Sequence, residues 1–518
     1  MFDDVAEADD AAVVAVMAAA NRDEAVAAAR RFAAIAELVA RHAIGATDCG
    51  RWSCDNWDAI AAQVGAALNI SHNLASHQMY QALALRQRLP AVATLFAEGR
   101  LSLRLVTTII WHTELIKDPA VLRVVDAMLA NDALRYGPLS QPKTARAIDA
   151  LIERYDPAAV RRARVGARSR EVVITSADDG SGTAQIWGTL LGTDAAVLDR
   201  RLSGMARQVC DADPRTVAQR RADALGALAA GGTQLACQCA DPDCSARIPD
   251  SRAGAVVIHV IAEPATVSGP PDPCLNGEQP PRVDPADPLR PVPDPDPPAT
   301  CLPAAQILGG QTIPAAHLGA LIAAGARTAA IDYCPEPTPG YRPSAALARF
   351  IRARDMTCRF PGCDCPADVC DIDHAIAYPF GPTHRANLRC LCRKHHLLKT
   401  FWSGPHGWRD RQLPDGTIIW TAPAGHTYTT RPGSRLLYPT LNQPSAPLPA
   451  CATPPQDQPR TLMMPTRTRT RAQDRQVRID GERAYNLAQL SPPEPTVHTA
   501  QPAPQPQRPS GPEQPPPF

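Results

Sequence analysis

The chain has 518 residues, including 54 prolines and 16 cysteines, and its 53 basic and 52 acidic side chains leave a formal charge of +1. That length exceeds one ordinary domain, and the near-neutral balance excludes a global pull on nucleic acid, so any such partner must be met by a local patch. No apolar run approaches the roughly 18 residues of a membrane helix, and the acidic start MFDDVAEADD does not read as a signal peptide. A cytoplasmic protein with no membrane partner is expected, in which cysteines serve as metal ligands or buried thiols rather than disulfides.

Residues 1 to about 165 read as helix after helix. Alanine-rich segments such as DEAVAAARRFAAIAELVARHA space apolar residues at three and four, and Gly99 divides LPAVATLFAEGRLSLRLVTTIIWHTELI into two helices. The period then changes: REVVITSADDGSGTAQIWGTL places β-branched runs on both sides of Asp179-Gly180-Ser181-Gly182, a hairpin signal. Thr193 or Asp194 can cap a helix running through Gln208, and a second is expected from Asp213-Pro214 to Gly231. Its Arg215, Arg220 and Arg221 stand among Asp211, Asp213 and Asp223, which favours an ion-paired face over a phosphate site. Cys237, Cys239 and Cys244 in CQCADPDC suggest a second metal, but three cysteines show no fourth donor.

GAVVIHVIAE, from Gly254 to Glu263, reads as a buried strand, and the thirteen prolines between Gly269 and Pro303 read as an extended linker. Helix returns in IPAAHLGALIAAGA and PSAALARFIRARD. Farther on, Pro414-Asp415-Gly416 turns one strand into another, and Trp402, Trp408 and Trp420 suit a small core there. The proline- and glutamine-rich end reads as disordered. Its arginine run, Arg467, Arg469, Arg471, Arg475 and Arg478, suits either non-specific nucleic-acid binding or a solvated tail.

Between these lies the densest chemistry. Cys358 and Cys363, then Cys392 and His395, are two close pairs about thirty residues apart, the spacing of a tetrahedral zinc clip. Cys365, Cys370 and Cys390 are spare, with Cys365 an alternative to Cys363. If CLCRKHHLLKTF is a helix, His395 and His396 project about 100° apart and cannot serve one ion. His396 is then free to join Asp373, His374 and Asn387 in a second set, while His384 reads as a loop residue.

This layout resembles the HNH nucleases of the ββα-metal type, in the subclass held by a zinc clip. More weakly, DPRTVAQRRADAL, RARDMTCRFPGCDCPADVCDIDH and NLRCLCRKHHLLK resemble the actinobacterial 13E12 repeat proteins, in which a helical domain of unknown function precedes an HNH domain. The resemblance implies a metal-dependent endonuclease acting on DNA. In it His374 is general base, Asn387 orients the loop, and Asp373 and His396 hold a catalytic Mg²⁺, Mn²⁺ or Zn²⁺. Arg389, Arg393, Lys394 and Lys399 would then contact phosphate. The alternative is a zinc-stabilised DNA-binding or scaffold protein of mobile-element origin with an inactive site.

The expected architecture is a mainly helical domain with a small β component (1–268), a proline-rich linker (269–303) and a helical connector (304–345). A ββα-metal module (346–430) and a disordered proline- and arginine-rich tail (431–518) complete it.

Overall fold

The computed structural model describes residues 3–42, 49–136, 139–160, 170–176, 182–248, 259–269, 276–277, 283–284, 286–291, 302–308, 312–323, 325–331, 333, 336–404, 406–445 and 463–490. Among them helix dominates, with a few small sheets.

The first half is a helical bundle. Helix α1 (Asp10–His42) buries Ala25, Ala28, Phe32, Ile35, Ala36 and Val39, one stripe at three- and four-residue spacing. It packs on α2 (Asn56–Leu68), α3 (His72–Gln87) and α4 (Pro90–Ala97), and the bundle continues through α5 (Leu103–Thr113), α6 (Pro119–Tyr136) and α7 (Gln141–Tyr155). Asp55 and Asp58 form a capping box at the start of α2, and Ser71 and Ser102 cap α3 and α5 with their side chains. Gly99, at φ +71°, separates α4 from α5 as expected. The bundle core includes Phe32, Phe96, Met79 and Ile109, each fully or almost fully buried, and each such side chain is worth about 1.5–3 kcal/mol.

Strands β1 (Glu171–Ser176) and β2 (Ala184–Thr189) pair antiparallel, Ile174 opposite Ile186, as the hairpin signal implied; most of its turn lies outside the described residues. Helix α8 (Gly192–Arg207) begins before Thr193, with Leu191 at its cap and no side-chain cap bond. Helix α9 (Val217–Ala229) starts at a Thr216–Gln219 capping box rather than at Asp213, whose carboxylate is taken by Arg215. The expected ion-paired face is present, though Arg215 is buried in it rather than solvated. Half of GAVVIHVIAE lies outside the described residues; what is seen is β3 (Val260–Ile261), paired with β4 (Ala305–Ile307), which in turn pairs with β5 (Thr312–Ile313). Much of the proline-rich stretch also lies outside them, and its described part pairs Val283–Asp284 with Asp287–Pro291 rather than running extended.

Helices α10 (Ala315–Ala323) and α11 (Ala345–Asp355) occupy the two segments read as helical. Next come β6 (Asp371–His374) and β7 (Leu388–Leu391), an antiparallel pair with His374 opposite Leu388, and then α12 (Arg393–Phe401). A sheet of β8 (Arg409–Gln412), β9 (Ile418–Thr421) and β10 (Thr427–Thr430) follows; its first turn carries Gly416 at φ +77°, and its third strand was not foreseen. Trp408 and Trp420 are buried edge to face at 6.4 Å, with Phe360 packed against both. Trp402 packs, half-buried, against the same cluster, its indole donating to the carbonyl of Cys54 at 3.0 Å.

The tail departs from expectation between 463 and 490, where α13 (Arg471–Leu490) lies on the bundle. Arg471 meets Asp55 at 2.8 Å, Arg478 meets Glu114 at 2.6 Å and Arg483 meets Asp156 at 2.7 Å. Of the arginines read as nucleic-acid contacts or solvated charge, Arg467, Arg471, Arg475 and Arg478 thus pair with the bundle, while Arg469 stays exposed beside Asp474. Only Ile479 and Asn486 of α13 are buried, too sparse an apolar stripe to announce the helix.

Candidate functional site

The β6–β7 hairpin, its loop and α12 carry the second set, and the start of α12 carries half of the clip. Cys392 caps α12, and His395 stands three residues on, so the two face the same side of its first turn. Opposite them, the turn through Arg359-Phe360-Pro361-Gly362 carries Cys358 and Cys363. The four donor atoms lie within 4.8 Å of one another, with His395 Nδ1 at 3.6 Å from Cys358 Sγ and 3.3 Å from Cys392 Sγ. A tetrahedral ion with ligand bonds of about 2.1–2.3 Å sets its donors about 3.5 Å apart, so the set fits zinc. Cys363 and not Cys365 joins it. Cys370 instead directs its thiol at the Pro366 carbonyl, 3.1 Å away. Phe360 stacks on the His395 ring at 4.0 Å and closes the cluster from one side.

His396 turns away from the clip. Its Nδ1 lies 2.9 Å from Asp371 Oδ2 and its Nε2 3.5 Å from Asp373 Oδ1. Strand alternation explains why Asp371 and Asp373 both reach α12, whereas the intervening Ile372 does not. Burial opposes ionisation of Asp373, but Arg389 and Lys399 outweigh it and hold the carboxyl below its ordinary range. Lys399 Nζ sits 2.6 Å from Asp373 Oδ2 and also donates to the His374 carbonyl.

His374, at the end of β6, is buried against the loop that follows the strand. Its Nε2 lies 3.0 Å from Thr383 Oγ1, whose own proton goes to the Gly340 carbonyl at 2.6 Å. The hydroxyl therefore accepts from Nε2–H, which leaves the lone pair on Nδ1. The Tyr341 ring stacks on the imidazole at 5.2 Å, and Tyr378 flanks it. Burial pushes the His374 pKa down, so the ring is neutral at pH 7.

Asn387 is fully buried and ties the loop between β6 and β7. Its Oδ1 accepts from the Ile376 amide at 2.8 Å, and its Nδ2 donates to the carbonyls of Ile376 and Pro382 at 2.9 and 3.0 Å. A Cβ on Gly381 would stand 2.5 Å from that Nδ2, so the loop needs glycine there. His384 is also in this loop and is buried.

The four cations expected at phosphate are placed differently from one another. Arg389 is wholly buried between Asp373 and Asp410 at 3.2 and 2.5 Å, so it supports the sheet and reaches no phosphate. Lys399 is mostly buried on Asp373, and Lys394 pairs with Asp58 of α2 at 3.1 Å. Arg393 remains exposed, touching Asp371 at 3.1 Å. Asp371 and Thr383 were missed in the sequence. The alternation of Asp371 with Asp373 could have flagged the first, whereas nothing local marks Thr383.

Fold and site together define a mainly helical protein carrying a cysteine–histidine cluster able to hold zinc. Over residues 19–355 the chain matches the family described as "Domain of unknown function (DUF222)", and it belongs to that family. It is similar to "Uncharacterized protein Rv2100" of Mycobacterium tuberculosis strain H37Rv, 53% identical over 500 residues that cover 94% of this chain and 90% of that protein. "Uncharacterized protein Rv3776" of the same organism is 52% identical over 491 residues, covering 94% and 92%. "Uncharacterized protein in est 3'region", also from Mycobacterium tuberculosis, is 49% identical over 347 residues, covering 66% and 96%. No solved structure matches the chain. Among the described residues no helix is long and apolar enough to cross a membrane.

Proposed function

We propose that the chain is a metal-dependent HNH endonuclease that hydrolyses DNA phosphodiester bonds. The observation that carries this reading is the division of two adjacent histidines. His395 closes the cysteine clip, while His396 faces Asp373, the strand neighbour of His374.

In this reading His374 Nδ1 takes the proton of the attacking water, a role typically worth about 10²–10⁴ in rate. Thr383 and Tyr341 hold the ring, and Asn387 fixes the loop that brings Thr383 under it. Asp373 Oδ1 and His396 Nε2, 3.5 Å apart, are the pair that would hold a divalent ion, Mg²⁺ or Mn²⁺. Asp371 accepts from His396 Nδ1–H and so turns the Nε2 lone pair towards that position. Bound there, the ion supplies Lewis-acid stabilisation of the phosphate and the departing 3′ oxygen. Exposed Arg393 is the cation best placed to meet backbone phosphate. Zinc in the clip is structural.

A second reading, a zinc-stabilised DNA-binding or scaffold protein with an inactive site, is favoured by the Tyr341 ring lying over His374 and by Lys394 being engaged with Asp58. Supercoiled plasmid incubated with the full chain and Mg²⁺ or Mn²⁺ separates the two. Nicking that falls at least about 10²-fold in His374→Ala supports the enzyme. No nicking by the parent, or equal nicking by the variant, overturns it, and DNA retardation without cutting then supports the second reading.

A further inference from the structure

We infer that Cys210, Cys237, Cys239 and Cys244 form a second structural zinc site, within the segment matched to DUF222 and independent of the nuclease reading. The sequence marked only the last three. The fourth donor comes from the loop after α8, which turns back so that α9 packs along α8 and Cys210 arrives beside the segment 232–248.

The four sulfur atoms lie within 4.8 Å of one another, and those of Cys210 and Cys237 are 3.5 Å apart. A disulfide would bring two sulfurs to about 2.05 Å. Four thiolates about 2.3 Å from one tetrahedral ion stand about 3.8 Å from each other, so the spacing is that of ligands and not of a cystine. All four are free thiols, with Cys237 and Cys239 buried.

The surroundings hold this spacing in place. Arg215 and Asp213 form a fully buried ion pair at 2.7 Å. Asp213 Oδ2 accepts from the Gln238 amide at 2.9 Å, and Arg215 donates to the Ala236 carbonyl at 2.8 Å. These are the two chain neighbours of Cys237, so the pair clamps the backbone on either side of a ligand, three residues from Cys210. The Cys237 amide donates to the Ala246 carbonyl at 2.9 Å, which folds the Cys244 end back over the site.

The segment also needs a cross-link. Residues 232–248 contain neither helix nor strand, and apart from the cysteines the buried apolar residues packed with them are Met205, Val209, Ala224, Ala227 and Leu235. So small a core does not order seventeen residues of irregular chain, whereas a structural zinc contributes folding free energy directly. A set this tight suits one ion rather than a multi-iron cluster, and a closed set of four thiolates suits zinc.

Metal analysis of the purified full chain, prepared under reductant, tests the inference. The expected result is that Cys239→Ser and Cys244→Ser each lose one zinc per chain relative to the parent, while Cys358→Ser retains the zinc held here. Should the serine variants fail to fold, Co²⁺ titration of the Cys358→Ser protein decides, with one equivalent giving the absorption of tetrahedral all-thiolate cobalt. Zinc content unchanged by Cys239→Ser, iron in place of zinc, an absent all-thiolate cobalt spectrum, or a disulfide among the four found by alkylation and mass spectrometry overturns it.

Discussion

Asp371 and Thr383 each determine which nitrogen of a neighbouring histidine carries a proton. Asp371 faces His396 Nδ1, and Thr383 faces His374 Nε2, so each leaves the other ring nitrogen for the ion or water of the nuclease reading. In the nuclease reading, Asp371→Asn or Thr383→Val lowers the nicking rate about 10- to 100-fold, the usual size of a lost orienting partner. Single-turnover rates at saturating Mg²⁺ measure it, and unchanged rates would count against the tautomers assigned here. The pH profile belongs to the same residues. Burial lowers the His374 pKa from its ordinary 6.5, so the base stays neutral and activity persists to below that pH before its acid limb falls. An acid limb at or above pH 6.5 would contradict the buried placement. The sign for stability is the same: both His374 and Asp373 bind protons less readily folded than unfolded. Their contributions are present above their ordinary pKa values and are lost as pH falls through the folded ones.

Among the secondary-structure elements, α12 would carry two functions on neighbouring residues in the nuclease reading, and substitution should separate them. Cys392→Ser removes a clip ligand at the helix cap and is expected to unfold the β6–β7–α12 unit, seen as lost near-ultraviolet dichroism and released zinc. His396→Ala leaves the clip intact and should retain both, and in the nuclease reading it abolishes nicking. Elements with a strong local signal were legible. The apolar spacing of α1, the Pro414-Asp415-Gly416 turn and the paired clip cysteines each write their structure into a short window. The fates of Arg389 and Lys394 were not legible, because their partners Asp410 and Asp58 are distant in sequence and a basic residue near a candidate site looks the same before its acid is known. Helix α13 was hidden for a related reason: charge pairs to Glu114 and Asp156, and Asn486 amide bonds to the carbonyls of Ala158 and Val160 at 2.8 Å, hold it in place of an apolar face.

At the scale of the whole molecule, the start of α2 meets the segment that leads into α13. Trp52 pairs with Thr466 in a β-bridge, and Arg467 and Arg471 reach Asp55 and Asp58 across more than 400 residues of sequence. Asp58 is almost wholly buried and serves His72, Lys394 and Arg471 together, so removing one cation leaves its charge less compensated. Arg471→Ala should lower unfolding stability by about 1–3 kcal/mol in denaturant titration, and more at low salt than at high, since the arginine is partly exposed. A change below a few tenths of a kcal/mol would show that α13 is not held by this pair. The buried apolar cluster around the clip likewise runs through Cys54, Ala62, Ala66 and Met464, joining α2 and the segment before α13 to Phe350, Phe360 and Trp420.

Gly362 turns the clip at φ +71°, and a Cβ there would come within 2.8 Å of the Ile70 carbonyl and 3.2 Å of the Gly65 carbonyl. The turn bearing Cys363 therefore rests directly on the chain between α2 and α3, where the Ile70 amide bonds back to Gly65 at 3.0 Å. Nothing thicker than a hydrogen fits between them. Loss of the metal and loss of the Gly362 hydrogen should thus leave one shared trace, faster deuterium uptake at the Ile70 amide, in a helix hairpin that contributes no ligand to the ion.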